Sequence, residues 1–335
     1  MRKPSEHQSP TGAIVATRLG RDFGGVPAVR SLDLHVQRGE IYGFLGPNGA
    51  GKSTTVRMLC TLLAPTSGQA TVAGYDVDTD PGQVRLRIGV ALQGSSLDES
   101  QTGRELLRLQ GRLYGLDRVT IDRRVAEVVD LVGIGESIDD LIKTYSGGMK
   151  RRLDLASSLV HQPEVLFLDE PTTGLDPASR ARMWAEVRRL NDAGTTIFLT
   201  TQYLEEADAL ADRIGIIIDG SLVVEGTPAD LKRQIGRDIV IATVSGPQVA
   251  VAVEALTSVP AVEDVTAHGD TVTMSVADGE ATLLTIATTL DRAGVSVRSL
   301  ATRTPTLDDV FLHHTGERFE ADAPTDATPE QGVLA

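Results

Sequence analysis

The sequence predicts an α/β fold built on a mainly parallel sheet, interrupted by a helical subdomain and followed by a small α+β module. Three observations carry this prediction. "EIYGFLG", "IGVALQG", "EVLFLDE", "TTIFLTT" and "RIGIIID" are near-continuous apolar runs separated by helix-patterned stretches, the mark of strands covered on both faces. Between the second and third runs lies a long charged segment with apolar residues at helical spacing, too large for a loop. After Gly236 the order becomes strand, helix, strand, strand, helix, strand, a βαββαβ ferredoxin-like pattern.

Taken in order, "MRKPSEHQSP" lacks the apolar segment of a secretory signal, so residues 1–12 read as a disordered tail. Residues 13–236 form the α/β domain, with the helical subdomain at about 95–161 marked by "GRELLRLQGRLYGL" and "DRRVAEVVDLVG". The "RIGIIIDG" run is cut short by Asp219-Gly220 and predicts a strand entering a tight hairpin. Residues 237–315 form the α+β accessory domain, ending in "TLDDVFLHHTG", a capped helix with Leu307, Val310 and Phe311 on its apolar side. His313 and His314 read as surface or packing residues, since no further Cys or His cluster supports a metal site. Residues 316–335 are polar and acidic and read as a second disordered tail.

Bulk properties narrow the classes. A net charge of −14 across 335 residues provides no basic field, which argues against a nucleic-acid partner. No apolar run reaches the roughly 18–20 residues of a spanning helix. The single cysteine, Cys60, sits among apolar residues and reads as a reduced core thiol.

The chemistry begins at "GFLGPNGAGKSTTVRML", a Walker A pattern between a strand and a helix. Gly46, Pro47, Asn48, Gly49, Ala50, Gly51, Lys52, Ser53 and Thr54 form its phosphate-wrapping loop. Glycines let backbone N–H groups turn inward as an anion nest, and the helix dipole adds to them. Lys52 is expected on the β- and γ-phosphates, and Ser53 supplies a hydroxyl to Mg²⁺. "EVLFLDE" then delivers Asp169 to a strand end, where it can hold the magnesium shell. Glu170 follows as candidate general base.

"TYSGGMKRRLDLASSLV" places Ser146, Gly147 and Gly148 before an amphipathic helix, a second anion-favouring terminus. With this segment the sequence resembles the ATP-binding cassette (ABC) ATPases, whose signature motif contains "SGG". The resemblance covers about Ile14 to Arg233 and implies a P-loop NTPase that binds ATP and Mg²⁺, the signature of one subunit closing over nucleotide held by another. It also implies that Gln93 in "VALQGSS" touches Mg²⁺ or the attacking water and couples to a membrane subunit. Asp176 in "GLDP" would lie near the dimer junction, and Phe23 in "RDFGG" would stack on adenine.

"LRLQGRLYGL", "TTQYLEEADALADR" and "TLDDVFLHHTG" are similar to the daunorubicin-resistance type of ATP-binding subunit. That resemblance implies a single cassette that forms a homodimer and pairs with a separately encoded integral-membrane permease. Its place would be peripheral, at the cytoplasmic face of the cell membrane. The expected task is export of amphipathic drugs such as anthracyclines, or of related polyketides or lipids. The alternatives are a soluble ABC ATPase of translation or DNA repair, which usually has fused cassettes or long coiled coils, and a slow nucleotide-dependent switch. One departure stands out: the turn after "TTIFLTT" carries Gln202 where ABC ATPases generally carry a histidine. A glutamine can donate to a γ-phosphate oxygen but cannot shuttle a proton. It is expected to sense the γ-phosphate with lower turnover; the competing reading is that Gln202 caps the following helix, whose dipole Glu205 and Glu206 already suit.

Overall fold

A computed structural model describes residues 12–92 and 97–315. It divides into two compact units, one extending to Pro228 and the other starting at Ala229. The first unit begins β1 (Ile14–Phe23), β2 (Val26–Val36), β3 (Ile41–Leu45), α1 (Lys52–Leu59), β4 (Ser67–Val72), β5 (Tyr75–Asp76), α2 (Pro81–Arg85) and β6 (Ile88–Ala91). The helical segment follows as α3 (Gly103–Leu113), α4 (Arg118–Val132) and α5 (Gly147–Leu159). The unit then returns to the sheet with β7 (Val165–Asp169), α6 (Pro177–Asp192), β8 (Thr196–Thr201), α7 (Leu204–Leu210), β9 (Arg213–Ile218) and β10 (Ser221–Gly226).

Its main sheet has the order β10-β9-β3-β8-β7-β6. The five strands β9, β3, β8, β7 and β6 are mutually parallel, and only β10 runs antiparallel. Every residue of β3, β7 and β8 is buried, as the unbroken apolar runs require. Phe198 sits at the centre, with ring centroids 5.6 Å from Tyr42, 5.4 Å from Phe44 and 5.6 Å from Phe167. The β9–β10 turn at Asp219-Gly220 has positive φ at both residues, 47° and 75°, the twist a two-residue hairpin favours.

A second sheet, β2-β1-β4-β5, is antiparallel and was not predicted. Its register shifts between Ala16 and Leu19, Leu19 and Arg21, and Arg21 and Asp22 break the period-two alternation by which such a strand is recognised. Four helices of this unit start on side-chain caps: Thr102 and Glu105 form a capping box for α3, Asp117 caps α4, Ser146 caps α5 and Asp176 caps α6.

The second unit contains α8 (Pro228–Ile235), β11 (Asp238–Val244), α9 (Val249–Thr257), β12 (Val262–His268), β13 (Thr271–Val276), α10 (Gly279–Arg292), β14 (Val297–Arg303) and α11 (Leu307–Thr315). Its antiparallel sheet has the order β12-β13-β11-β14, the ferredoxin-like arrangement expected from βαββαβ. Val240, Ala242, Val244, Val272, Met274 and Val276 pack with Leu256, Ile286 and Leu290 in its core. Leu307, Val310 and Phe311 of α11 are buried as their spacing predicts. Among the described residues no helix is long and apolar enough to cross a membrane.

Phe198→Ala removes the ring common to three aromatic contacts from a closed core, at a cost of about 3–5 kcal/mol. The expected readout is a lowered urea midpoint for the first unit, with an unchanged m-value.

Candidate nucleotide-phosphate site

The parallel register sets Asp169 beside Thr200 and Leu45 beside Thr201. The loop after β3, the turn after β8 and the acids of β7 therefore leave the sheet at one carboxyl edge, where open α/β sheets bind ligands. At Gly46 a Cβ atom would stand 2.3 Å from the Ile217 carbonyl oxygen, so only glycine fits. Gly51, the N-cap of α1, has φ 107°, and a Cβ there would meet the Ala28 oxygen at 2.5 Å. The loop is clamped from behind: Gly220 N–H donates to the Ala50 oxygen at 3.0 Å, and Arg30 N–H donates to the Gly220 oxygen at 2.8 Å. Helix α1 has no acidic residue in its first turn and no side-chain cap, so its positive end suits an anion such as phosphate.

The Lys52 side chain is 5% exposed and 4.0 Å from Glu170 Oε1. Its ammonium donates to the carbonyls of Gly46 at 2.7 Å and Pro47 at 3.2 Å. Burial lowers its pKa, and the Glu170 and Asp169 carboxylates oppose that shift. Ser53 and Thr54 follow in the first turn of α1, both half-buried. Pro47, Asn48 and Gly49 form the exposed rim, and Ala50 is buried.

Asp169 is buried and accepts a hydrogen bond from the Thr200 hydroxyl. Glu170 has φ 48°, a left-handed backbone rarely adopted by a side chain of this kind. Its N–H donates to the Thr200 carbonyl at 3.0 Å and hydroxyl at 3.2 Å, and Thr173 Oγ1 donates to Oε2 at 3.4 Å.

Gln202 lies half-buried between β8 and α7. It is not the cap of α7: the N-cap is Tyr203, which makes no side-chain cap bond, and Tyr203 N–H donates to the Thr201 hydroxyl at 2.9 Å. Glu205 and Glu206 do lie in the first turn of α7, and Glu206 is fully buried there, its Oε1 accepting from Trp184 Nε1 at 2.9 Å. Burial raises its pKa, against the hydroxyls of Thr201 and Thr172 and the Trp184 indole.

The remaining residues stand apart from this cluster in their bonding. The exposed Ser146 hydroxyl accepts from Met149 N–H at 3.3 Å, and Gly147 and Gly148 open α5 behind it. Exposed Asp176 accepts from the Ser179 hydroxyl at 2.5 Å and from Ser179 N–H at 2.9 Å, and these hydrogen bonds hold its carboxyl below the usual range. Phe23 ends β1 with 49% of its surface exposed and the Arg21 guanidinium 4.6 Å over its ring. Gln93 lies outside the described residues. Two groups escape a sequence reading. In sequence Thr200 opens a polar Thr200-Thr201-Gln202 turn at a strand end, a place for ligands, with nothing to pair it with Asp169 and Glu170, and Arg151 sits in a "KRR" run that resembles a solvated helix face. In the fold Arg151 instead donates to the carbonyls of Asp169, Pro171 and Leu92.

A glycine-built phosphate loop, paired acids at the adjacent strand end and an outward serine-glycine helix start define an ATP-binding cassette. The ABC transporter family model matches residues 29–173, and the model of the C-terminal domain of DrrA1-3-like ATP-binding proteins matches residues 226–315. Over 328 residues the chain is 46% identical to the daunorubicin/doxorubicin resistance ATP-binding protein DrrA of Streptomyces peucetius, covering 97% of this chain and 98% of that one. It is 38% identical over 306 residues to the linearmycin resistance ATP-binding protein LnrL of Bacillus subtilis, covering 90% and 98%. A solved ATP-binding subunit of an ABC transporter matches 66% of this chain and 92% of its own, with TM-score 0.62 and 26% identity. The chain belongs to the DrrA-type ATP-binding proteins of the ABC transporter family, and it binds and hydrolyses ATP.

Two outcomes are expected. Glu170→Gln lowers kcat by about 100-fold or more, in the range a lost general base costs, while nucleotide still binds; steady-state ATPase and nucleotide titration check this. Glu206→Gln changes the pH profile of stability. A carboxyl whose pKa is raised by folding binds its proton more tightly in the folded chain, so stability declines as pH rises from the ordinary carboxyl range through the raised value. The substitution flattens that decline, read from denaturant midpoints across pH.

Proposed function

We propose that this chain energises a separately encoded integral-membrane permease that exports amphipathic drugs such as anthracyclines, or related polyketides or lipids. The match along almost its whole length to a protein named for daunorubicin and doxorubicin resistance is the observation that carries this reading. The linearmycin resistance relative supports the wider range of cargo. The chain would act peripherally at the cytoplasmic face of the membrane, as a homodimer.

Lys52 binds the β- and γ-phosphates from inside the loop formed by Gly46–Thr54, and Phe23 offers its exposed face to adenine. Ser53, Asp169 and Gln93 would hold Mg²⁺, which supplies charge neutralisation to the phosphates. The buried, hydroxyl-supported carboxylate of Asp169 fits that hard cation. Glu170 orients the attacking water and accepts its proton. Gln202 donates its amide N–H to the γ-phosphate.

Ser146, Gly147 and Gly148 act on nucleotide held by the second copy, with Asp176 near the junction. A Cβ at Gly147 would meet nothing within 4 Å, so the subunit leaves that face open to a close approach. For the permease, a groove of about 430 Å³ runs beside β6 and is lined by Leu62, Val90, Leu92, Tyr114 and Asp154. Leu62 is 58% exposed, and Leu92 of the groove immediately precedes in sequence Gln93, the residue expected to couple to the membrane subunit.

Three measurements test this reading. Coexpression with its separately encoded permease should give drug-stimulated ATPase and cellular resistance; its absence for every amphipathic drug class refutes export. Gln202→His should raise turnover and Gln202→Ala lower it several-fold, whereas equal rates in all three proteins overturn the sensor role. Leu62→Glu should abolish copurification with the permease while leaving ATPase of the isolated chain within about twofold of the parent, as expected for a surface change remote from the phosphates.

A further inference from the structure

Glu170 holds a left-handed backbone at φ 48°, and such a conformation persists only where the surroundings over-determine it. One side of that restraint is Thr200, which accepts the Glu170 N–H. The other side comes from a different part of the chain. Arg151 Nη2 donates to the Asp169 carbonyl at 3.0 Å, and Nε donates to the Pro171 carbonyl at 3.1 Å. A single guanidinium thus grips the carbonyls of the residues on both sides of Glu170, and the fixed ring of Pro171 leaves little slack between them. The same side chain donates through Nη1 to the Leu92 carbonyl at 2.9 Å, at the exit of β6, and to Asp154 Oδ2 at 3.3 Å. It is 17% exposed and Asp154 8%, so little water competes for these bonds. The rigid guanidinium fork presents a separate nitrogen to each of the three carbonyls, whereas lysine offers a single nitrogen.

We propose that Arg151 is a positioning residue that fixes the backbone of Glu170 and ties it to the placement of α5, the helix that begins at Ser146. Displacement of the α5 start, by nucleotide on a second copy or through the β6 exit, then reaches the Glu170 carboxylate through the guanidinium, without any contact between Arg151 and nucleotide. The inference rests on Glu170 as general base and deepens that reading. An error on the order of 1 Å in a reacting group can cost about 100-fold in rate, and that is the scale at which this link acts.

The test compares Arg151→Gln and Arg151→Lys with the parent in the full chain. The readouts are kcat and KM for ATP, the Kd of a fluorescent ATP analogue, and hydrogen exchange of the peptide spanning Phe167–Thr173. Arg151→Gln should lower kcat about 10- to 100-fold, and Arg151→Lys less, with KM and Kd within about twofold and faster exchange around Glu170. In a Glu170→Gln background, Arg151→Gln should cause no further loss of single-turnover rate, because residues acting as a unit are non-additive. Parental kcat in either variant overturns the proposal, as does a parallel loss of kcat and nucleotide affinity, or a full additional loss in the Glu170→Gln background. Should Arg151→Gln not fold, Arg151→Lys alone decides by the same criteria. A parental rate in Glu170→Gln by itself overturns the general-base assignment, a result separate from any arm with Arg151 changed.

Discussion

Lys52 and Glu170 face each other at 4.0 Å with side chains 5% and 9% exposed, and ions so far from water are tolerated only when neighbouring groups replace their hydration. The replacement here comes from main-chain carbonyls for the ammonium and a hydroxyl for the carboxylate. The carbonyls of Gly46 and Pro47 take the ammonium, and Thr173 serves the Glu170 carboxylate. Such partners can be supplied only where three strand ends lie side by side, which explains why the loop after β3 and the exits of β7 and β8 must share one edge. The clamp of Asp219-Gly220 on the loop and the burial of the central strands serve the same requirement: a preorganised charge cluster in a nearly dry setting loses little to reorganisation when phosphate charge develops.

Much of this was legible in the sequence because it depends on short-range pattern. Unbroken apolar runs located the central strands, and the glycine spacing of Gly46 and Gly51 located the phosphate loop before any coordinates. The βαββαβ order of the second unit likewise follows from period and turn chemistry. What escaped is what depends on long-range placement. The bulged β1 has no clean period, so its sheet was invisible. Glu206 looks like any acid at a helix start until the fold buries it against Trp184. Arg151 sits in a run of three basic residues, and nothing local says that one of them turns inward to carbonyls 18 and 59 positions away.

The ATPase machinery and its accessory module are therefore specified at different levels. In the first unit, function is written into backbone conformation: positive φ at Gly51 and Glu170, and a glycine at 46 that admits no side chain. Backbone of this kind tolerates little variation, because a changed residue strains the loop itself. The second unit is organised mainly by side-chain packing, with apolar residues alternating along β11 and β13, and packing accepts volume-conserving exchange. Sequence is accordingly expected to drift faster after Pro228 than before it at equal structural fidelity.

Cys60, the chain's single cysteine, is 1% exposed, and burial raises its thiol well above the ordinary value. Thiolate chemistry at such a site is suppressed. The native protein is thus already a cysteine-silent background for site-directed labelling. A cysteine substituted on the exposed start of α5 would carry a spin or fluorescent probe with no native thiol to remove first, so distances across a pair of cassettes become measurable on chains altered at that one position.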